Sequence, residues 1–235
     1  KEDYLKDLFL HTYLVDIKER YRIRNDEDLE ELVRVVASSI GGLTNTTKLQ
    51  NTFNSEKKSK ISNATIKNYL DMLQDAFLVE KSTRYDIKGR KYIGTQSKYF
   101  FEDLGVRNAV INFRQSEESH LMENMIYNEL RMRGYSVDVG QVMVNTKDAN
   151  GVSKRKYFEV DFVCNSGFKR YYIQSALELS TNDKIEQELR SLQNINDSFQ
   201  KMVFVGGIAP TYQNENGIII MNVFDFLLGD SKLFV

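Results

Sequence analysis

Residues 157–179 read YFEVDFVCNSGFKRYYIQSALEL, and the fold expected for this chain follows from this segment. Apolar and aromatic residues that favour β-structure lie on both sides of a turn-prone Asn-Ser-Gly sequence. The pattern predicts a β-hairpin with strands over residues 157–164 and 171–177, joined by a tight turn at residues 165–167.

Polar side chains on the two predicted strands are spaced so that they meet across the hairpin. Because side chains alternate across a strand, Glu159 and Asp161 share one face of the first strand. Gln174, Ala176 and Glu178 likewise share one face of the second. A carboxylate on one strand therefore lies beside a polar position on the next, which is where a metal-dependent nuclease would keep its site.

This layout resembles the PD-(D/E)XK nuclease fold, in which an Asp on one strand accompanies an acid-x-Lys triplet on its neighbour. Asp161 matches the Asp, and Gln174-Ser175-Ala176 stands in the place of the triplet. In the family an acid at the position of Gln174 shares a divalent cation with the Asp, and an amide is a weaker ligand. The Lys expected at Ala176 stabilises charge on the phosphate, which a methyl group cannot do. The resemblance thus implies the nuclease layout without catalysis.

An amphipathic helix predicted over residues 116–133, with Ser116 as its N-cap, carries two acids beside its apolar stripe, Glu123 and Glu129. The resemblance implies that an acid of this helix completes a metal site, so Glu123 and Asp161 are the candidate metal ligands. The alternative is that both glutamates are boundary charges of the helix.

The remaining elements of this half predict a mixed sheet. We expect a strand over 135–144, a solvated turn over 145–156, a helix over 182–195, strands over 201–205 and 217–222, and a short helix over 223–228. The strand-helix-strand order after the hairpin predicts a crossover to a parallel strand.

The first half predicts helices followed by a β-ribbon. Helical spacing covers residues 3–17, 26–39, 44–53 and 62–76, β-like runs cover 77–85 and 96–101, and a linking segment with Gly105 as its flexible point covers 102–113. Two helices and then a two-stranded ribbon is the order of a winged helix.

A local excess of Lys and Arg over acids between residues 55 and 100 makes this winged-helix segment a candidate DNA-binding surface. In such domains the second helix enters the DNA major groove, and the β-ribbon, called the wing, contacts the DNA backbone. The candidate residues are Asn63, Thr65, Lys67 and Asn68 on the helix and Lys88, Arg90 and Lys91 on the wing. The alternative is that the segment packs between protein domains.

Composition sets the class of protein and the compartment. A net charge of −1, 41% hydrophobic and 28% charged residues are ordinary for a globular protein and give no general attraction to nucleic acid or membrane. No apolar run approaches the roughly 20 residues needed to cross a bilayer, and the lone Cys164 fits a reducing compartment. We therefore predict a cytoplasmic protein with no membrane partner, and the missing initiator Met suggests a fragment of a longer polypeptide.

Several segments in the same order resemble one family over almost the whole chain. They are ISNATIKNYLDMLQDAFLVEK, KYFFEDLGVRNAVINF, ENMIYNELRMRGY and EVDFVCNSGFKRYYIQSA. Together they resemble the C-terminal domain of unknown function that follows the ATPase core of prokaryotic AAA-superfamily ATPases. The resemblance implies ATP and Mg²⁺ in a preceding nucleotide-binding domain, which would be a partner of this chain. The sequence itself contains no G-x-x-x-x-G-K-[ST] loop, so we expect no cofactor within it.

The fold class that follows is α/β, α+β overall. We predict a helical, winged-helix-like domain over residues 1–112 and a restriction-endonuclease-like mixed-sheet domain over residues 113–235. The first functional hypothesis is a non-catalytic accessory module of the ATPase that recognises a partner such as DNA. The second is a divalent-metal nuclease that uses Asp161 with Glu123 or Glu129, and with Glu178 as a displaced acid. The third is a protein interaction module, and the sequence does not indicate an oligomeric state.

Overall fold

The computed structural model describes residues 1–23, 26–56, 61–114, 117–147, 151–207 and 210–229. It is a mixed α/β structure that divides into two compact units. The first unit contains Lys1–Ser82 and Thr95–Asn124, and the second contains Thr83–Gly94 and Met125–Val235. The second unit thus includes the tip of the predicted β-ribbon. The single boundary predicted between residues 112 and 113 stays a prediction.

The first unit consists mainly of helices that enclose an apolar core. The helices are α1 (Glu2–Asp7), a π-helical segment (Leu8–Leu14), α2 (Val15–Tyr21), α3 (Asp26–Ser38), α4 (Thr46–Glu56), α5 (Asn63–Asp75) and α6 (Leu104–Val110). The predicted helix over 3–17 is therefore part of a longer helical run that ends at Tyr21.

Helix α5 forms as its sequence pattern predicts. Ser62 caps its N-terminus by accepting a hydrogen bond from the Thr65 backbone N–H at 3.1 Å. Its buried stripe contains Ile66, Tyr69, Leu70 and Leu73. The strands of the ribbon follow, β1 (Val79–Asp86) and β2 (Lys91–Phe101), and β2 begins earlier than predicted. Two helices and a ribbon thus follow one another in the predicted order.

Helix α6 corrects the prediction of a linking segment over residues 102–113. Asp103 caps this helix through a 2.8 Å hydrogen bond from the Val106 N–H, and Val106 and Val110 are buried. Gly105 lies in the first turn rather than at a flexible point. The cap and the buried side chains outweigh the cost of one glycine in a helix, which is only about 1 kcal/mol.

The second unit is built on a mixed sheet. Its further strands are β3 (Ser136–Lys147), β4 (Ser153–Ser166), β5 (Lys169–Ala176), β6 (Gln200–Val205), β7 (Tyr212–Gln213) and β8 (Ile219–Asn222). The described strands are ordered β2-β1-β3-β4-β5-β6-β8-β7. The hairpin of β4 and β5 is antiparallel, as predicted from residues 157–179. The turn predicted at residues 165–167 is wrong by two residues, because Asn165 and Ser166 still pair with Arg170 and Lys169 and the turn lies at residues 167–168.

Three further helices complete the described structure: α7 (Glu118–Met132), α8 (Asn182–Gln193) and α9 (Val223–Leu228). Helix α8 connects β5 to β6, and these two strands pair in parallel as predicted. Ser116, the predicted cap of the helix that corresponds to α7, lies outside the described residues.

The predicted solvated turn over residues 145–156 is wrong at both of its ends. Strand β3 continues to Lys147 and β4 begins at Ser153, with Asn145 opposite Arg155 and Thr146 opposite Lys154. Polar residues in this part of the hairpin hide the alternation by which strands are recognised. The two-residue strand β7 was also not predicted, because two exposed residues carry no pattern.

Gly140 lies where the pairing of β3 with β4 changes register, and its lack of a side chain is needed there. A Cβ atom at Gly140 would lie 2.8 Å from Val160 Cβ, 2.8 Å from Val163 Cγ2 and 2.9 Å from Ile87 Cδ1. We expect Gly140→Ala to lower the free energy of unfolding by about 1–3 kcal/mol, measured by urea denaturation. Gly94→Ala is the control, since a Cβ atom at Gly94 would have no neighbour within 4 Å among the described residues. Equal stabilities of the two variants would contradict this account of Gly140.

Candidate functional site

Asp161 lies buried on β4 and binds the neighbouring strand β5 through its side chain. The backbone N–H and the hydroxyl of Ser175 both donate to Asp161 Oδ2, each at 2.8 Å. The described pairing of β4 with β5 ends at Phe162 and Ile173, so these bonds lie just beyond the ladder. The Asp161 carboxylate thereby accepts the hydrogen bond of the Ser175 N–H in place of a backbone carbonyl of β4.

Gln174 makes the reciprocal contact from β5 to β4. Its Oε1 atom accepts from the Asp161 backbone N–H at 3.4 Å and from the Ser191 hydroxyl at 3.5 Å, which are long and therefore weak hydrogen bonds. We call Asp161, Gln174 and Ser175 the strand clasp, because they hold β4 and β5 together where the ladder stops. Ala176 follows as a buried core residue.

Asp161 is thus in contact with Gln174 and Ser175, two of the three residues that stand in the place of the nuclease triplet. The described residues include no group of three or more His, Cys, Asp and Glu side chains that could hold a metal ion.

Glu188 on α8 is a neighbour of the strand clasp that the sequence analysis missed. Burial raises the pKa of its carboxyl, the charge of Asp161 raises this pKa further, and a hydrogen bond from Gln174 lowers it. The position of Glu188 in the sequence does indicate that it faces the protein interior. Glu188 lies three residues after Ile185 and four before Leu192, on the inward face of the helix.

The acids predicted to complete a metal site each bind a basic side chain. Glu123 is buried in the first unit, where its Oε1 atom lies 2.6 Å from Lys98 Nζ. Glu129 in the second unit accepts a hydrogen bond from Arg133 Nε at 2.7 Å. In the sequence Lys98 is one of many basic residues between 55 and 100. Only the structure shows that its side chain is buried.

Glu178, predicted as a displaced acid, is exposed near the end of the hairpin. Lys184 Nζ lies 2.8 Å from its Oε1 atom, and this hydrogen bond lowers the pKa of the Glu178 carboxyl. Glu159 is half-buried on β4.

The predicted DNA-reading face lies on α5 in the first unit. Asn63, Lys67 and Asn68 are exposed. Thr65 is half-buried, and its hydroxyl lies 2.9 Å from the Ser62 hydroxyl, so its side chain takes part in capping the helix. DNA reading by this face stays a prediction.

The predicted wing is the turn between β1 and β2, which belongs to the second unit. Lys88, Arg90 and Lys91 are all exposed there. The turn is closed by the Gly89 N–H, which donates to Asp86 Oδ1 at 2.9 Å, and Lys88 Nζ donates to the Met143 carbonyl at 2.7 Å. The hydrogen bond to the Met143 carbonyl holds the turn against β3 and orients the Lys88 side chain.

The β1–β2 turn and the β4–β5 turn together line a cavity of about 360 Å³, which we call the basic groove. The side chains that matter for its chemistry are Tyr85, Arg90, Phe168, Lys169, Arg170 and Phe199. Basic and aromatic residues thus line one opening within the second unit.

Arg170 is held in a fixed orientation in this groove. Its guanidinium carbon lies 5.2 Å from the centre of the Tyr85 ring and 5.6 Å from that of Phe199, within range of cation–π attraction. Its Nε atom donates to Asn165 Oδ1 at 2.8 Å. These three contacts hold the Arg170 guanidinium in place, and Arg90 and Lys169 are exposed beside it.

One acid, Asp197, also lines the basic groove. The Tyr172 hydroxyl donates to its Oδ2 atom at 2.6 Å, and the Phe199 N–H donates to its Oδ1 atom at 3.2 Å. Burial and the bond to Asp197 raise the pKa of Tyr172, so the phenol remains a donor at neutral pH. The groove therefore has three cations against one hydrogen-bonded carboxylate.

The sequence did not predict this groove because its residues come from three separate parts of the chain. The parallel pairing of β1 with β3, from Arg84 opposite Val139 to Asp86 opposite Gln141, is one of the contacts that assemble it. The available signal was Phe168-Lys169-Arg170 beside a tight turn, where an aromatic residue replaces the usual polar one.

The class defined by these observations is a mixed α/β protein with a strand clasp and a basic groove in its second unit. Residues 1–117 match the model of a domain of unknown function, DUF8612. An uncharacterized protein of Haemophilus influenzae is 33% identical over 228 residues, which cover 97% of this chain and 52% of that protein. An uncharacterized protein of Methanocaldococcus jannaschii is 28% identical over 82% of this chain and 40% of its own length. The chain thus spans about half, or less, of these two curated relatives.

The crystal structure of protein VC1899 from Vibrio cholerae covers 88% of this chain and 55% of its own, with 13% identity. The TM-score between the two chains is 0.30. Among the residues that the structure describes, no helix has the length and apolar character needed to cross a membrane.

Proposed function

We propose that this chain is a non-catalytic accessory module of a longer prokaryotic AAA-type ATPase and that it binds nucleic acid through the basic groove. The observation that carries the proposal is the meeting of Arg90, Lys169 and Arg170, from two separate turns, around one opening. The longer parent protein is supported by the ordered sequence segments that resemble ATPase accessory domains and by the greater length of the relatives.

Charge supports an anionic ligand. The whole chain has a net charge of −1, so general attraction to a polyanion is weak and binding must come from a local concentration of cations. The basic groove provides that concentration, with the exposed Lys88 and Lys91 on the same turn as Arg90. Phosphate contacts of this kind supply most of the affinity of non-specific nucleic-acid binding.

The strand clasp supports the absence of catalysis in the proposal. A nuclease of the PD-(D/E)XK type uses the carboxylate of the strand Asp as a metal ligand, whereas Asp161 Oδ2 already accepts two hydrogen bonds from Ser175. Ala176 has no ammonium group with which to stabilise a phosphate. On this proposal the nuclease-like and winged-helix-like parts serve recognition.

The test compares the wild type with the double variant Arg90→Gln with Lys169→Gln. It measures nucleic-acid affinity at several salt concentrations. We expect the variant to bind a labelled oligonucleotide about tenfold more weakly than the wild type at about 0.1 M salt. The slope of log affinity against log salt should become shallower by about 1.4 to 1.8, because two phosphate contacts are lost. Fluorescence anisotropy at four salt concentrations measures both quantities.

The matched control is Lys154→Gln with Arg155→Gln, which removes the same charge from exposed positions at the other end of β4. At about 3.3 Å per residue, Arg155 is far along the strand from the turn at Gly167. The control should bind like the wild type. Equal weakening by both variants would show a general charge effect and contradict binding in the basic groove.

A divalent-metal nuclease is the second candidate function, and the observation that favours it is Glu188. A second carboxyl lies close enough to Asp161 for the charge of Asp161 to raise its pKa. Two acids with the Gln174 amide could share a cation with bound waters, as Mg²⁺ sites often do. Nicking of plasmid DNA that requires Mn²⁺ and Asp161 would establish this candidate in place of the first.

A further inference from the structure

Phe168 is fully exposed at the tip of the β4–β5 turn. Exposure of a whole phenyl ring has a cost in water, which binding to a flat apolar partner would remove. Its neighbours in sequence and around the basic groove are Lys169, Arg170 and Arg90. An exposed ring among cations is the combination by which proteins bind single-stranded nucleic acid, with bases on the rings and phosphates on the cations.

The fixed guanidinium of Arg170 adds a pre-oriented contact. Because Tyr85, Phe199 and Asn165 already hold this side chain, little side-chain freedom remains to be lost when a ligand binds. Arg170 therefore contributes a positive charge in a fixed position beside the groove, where it attracts a phosphate at low entropic cost.

The size of the groove favours single strands over duplexes. A volume of about 360 Å³ is at the lower end of the range for small-molecule sites, so it suits a unit of nucleotide size. In a duplex the base faces are stacked on one another and are not available to Phe168, whereas the bases of a single strand can splay out.

We infer that the basic groove binds single-stranded nucleic acid, with one base stacked on Phe168 and the adjacent phosphates on Arg90 and Lys169. This inference rests on the proposed nucleic-acid-binding function and specifies its ligand. DNA and RNA share the chemistry that the groove recognises, namely an unpaired base next to phosphates.

The experiment compares Phe168→Ala with the wild type by fluorescence anisotropy. The probes are a labelled single-stranded DNA of about 12 nucleotides, the RNA of the same sequence and a blunt-ended DNA duplex of the same length. We expect Phe168→Ala to weaken binding of the single-stranded probes about tenfold and to leave duplex binding within about twofold. Phe224→Ala is the control, because Phe224 is also an exposed phenylalanine of the second unit, on α9.

The outcomes separate this inference from the function on which it rests. If Phe168→Ala binds like the wild type while Arg90→Gln with Lys169→Gln binds weakly, base stacking is overturned and the proposed function stands. If neither variant loses affinity, the proposed function fails as well. Tight binding of poly-glutamate that competes fully with the oligonucleotide would overturn the inference in favour of an acidic protein partner. A loss with Phe168→Ala for both DNA and RNA supports the shared chemistry.

Discussion

Lys98→Met is expected to lower the free energy of unfolding by about 3–5 kcal/mol, because it removes the positive charge that lies beside the buried Glu123 carboxylate. The Lys98 and Glu123 side chains are only 2% and 7% exposed, and Nζ lies 2.6 Å from Oε1. Water therefore cannot solvate the carboxylate once the ammonium group is removed. Urea denaturation at pH 7, followed by circular dichroism, measures the change.

The double variant Lys98→Met with Glu123→Leu tests the reason for this loss. Replacing both charges with apolar groups removes the uncompensated charge, so we expect the double variant to be more stable than Lys98→Met alone. Arg20→Met is the control, since Arg20 and Asp16 form an ion pair of 2.7 Å in which both side chains are about half exposed. That change should cost less than about 1 kcal/mol. A similar small cost for Lys98→Met would show that the buried pair contributes little.

The burial of Lys98 also illustrates which parts of the fold the sequence could predict. Elements with a regular apolar stripe and a capping residue, such as α5 and α9, were predicted closely because local pattern and burial agree. Lys98 lies in β2 between polar and aromatic residues, and nothing local distinguishes a buried lysine from a solvated one. Its environment depends on Glu123, which is distant in sequence.

The candidate sites show the same division between local and long-range information. Side-chain alternation predicts that Gln174 and Ala176 share one face of their strand, since the period of a strand is local. It could not show that Ser175 would donate twice to Asp161, because these bonds depend on where the β4–β5 ladder ends. The basic groove depends on pairing between strands that are far apart in the chain. Local sequence pattern therefore could not predict it.

Asp161→Ala is expected to lower the free energy of unfolding by about 3 kcal/mol without changing nucleic-acid affinity. The substitution removes the acceptor of two hydrogen bonds from Ser175, and bonds to a charged group contribute about 1.5–3 kcal/mol each with incomplete additivity. Asp161→Asn keeps one carbonyl oxygen and should lose less stability. Urea denaturation and anisotropy with the single-stranded probe measure the two properties.

The same pair of variants decides between the two candidate functions. If Asp161 only joins β4 to β5, wild type and Asp161→Asn will both leave supercoiled plasmid intact with Mg²⁺ or Mn²⁺, and the variants will differ in stability alone. If Asp161 and Glu188 hold a catalytic cation, the wild type will nick the plasmid, and Asp161→Asn will abolish nicking although it remains folded. If Asp161 only joined the strands, a variant that stays folded would keep any cleavage activity. Loss of cleavage in a folded variant would therefore indicate a role in catalysis. Such a result would replace the accessory module with a metal-dependent nuclease.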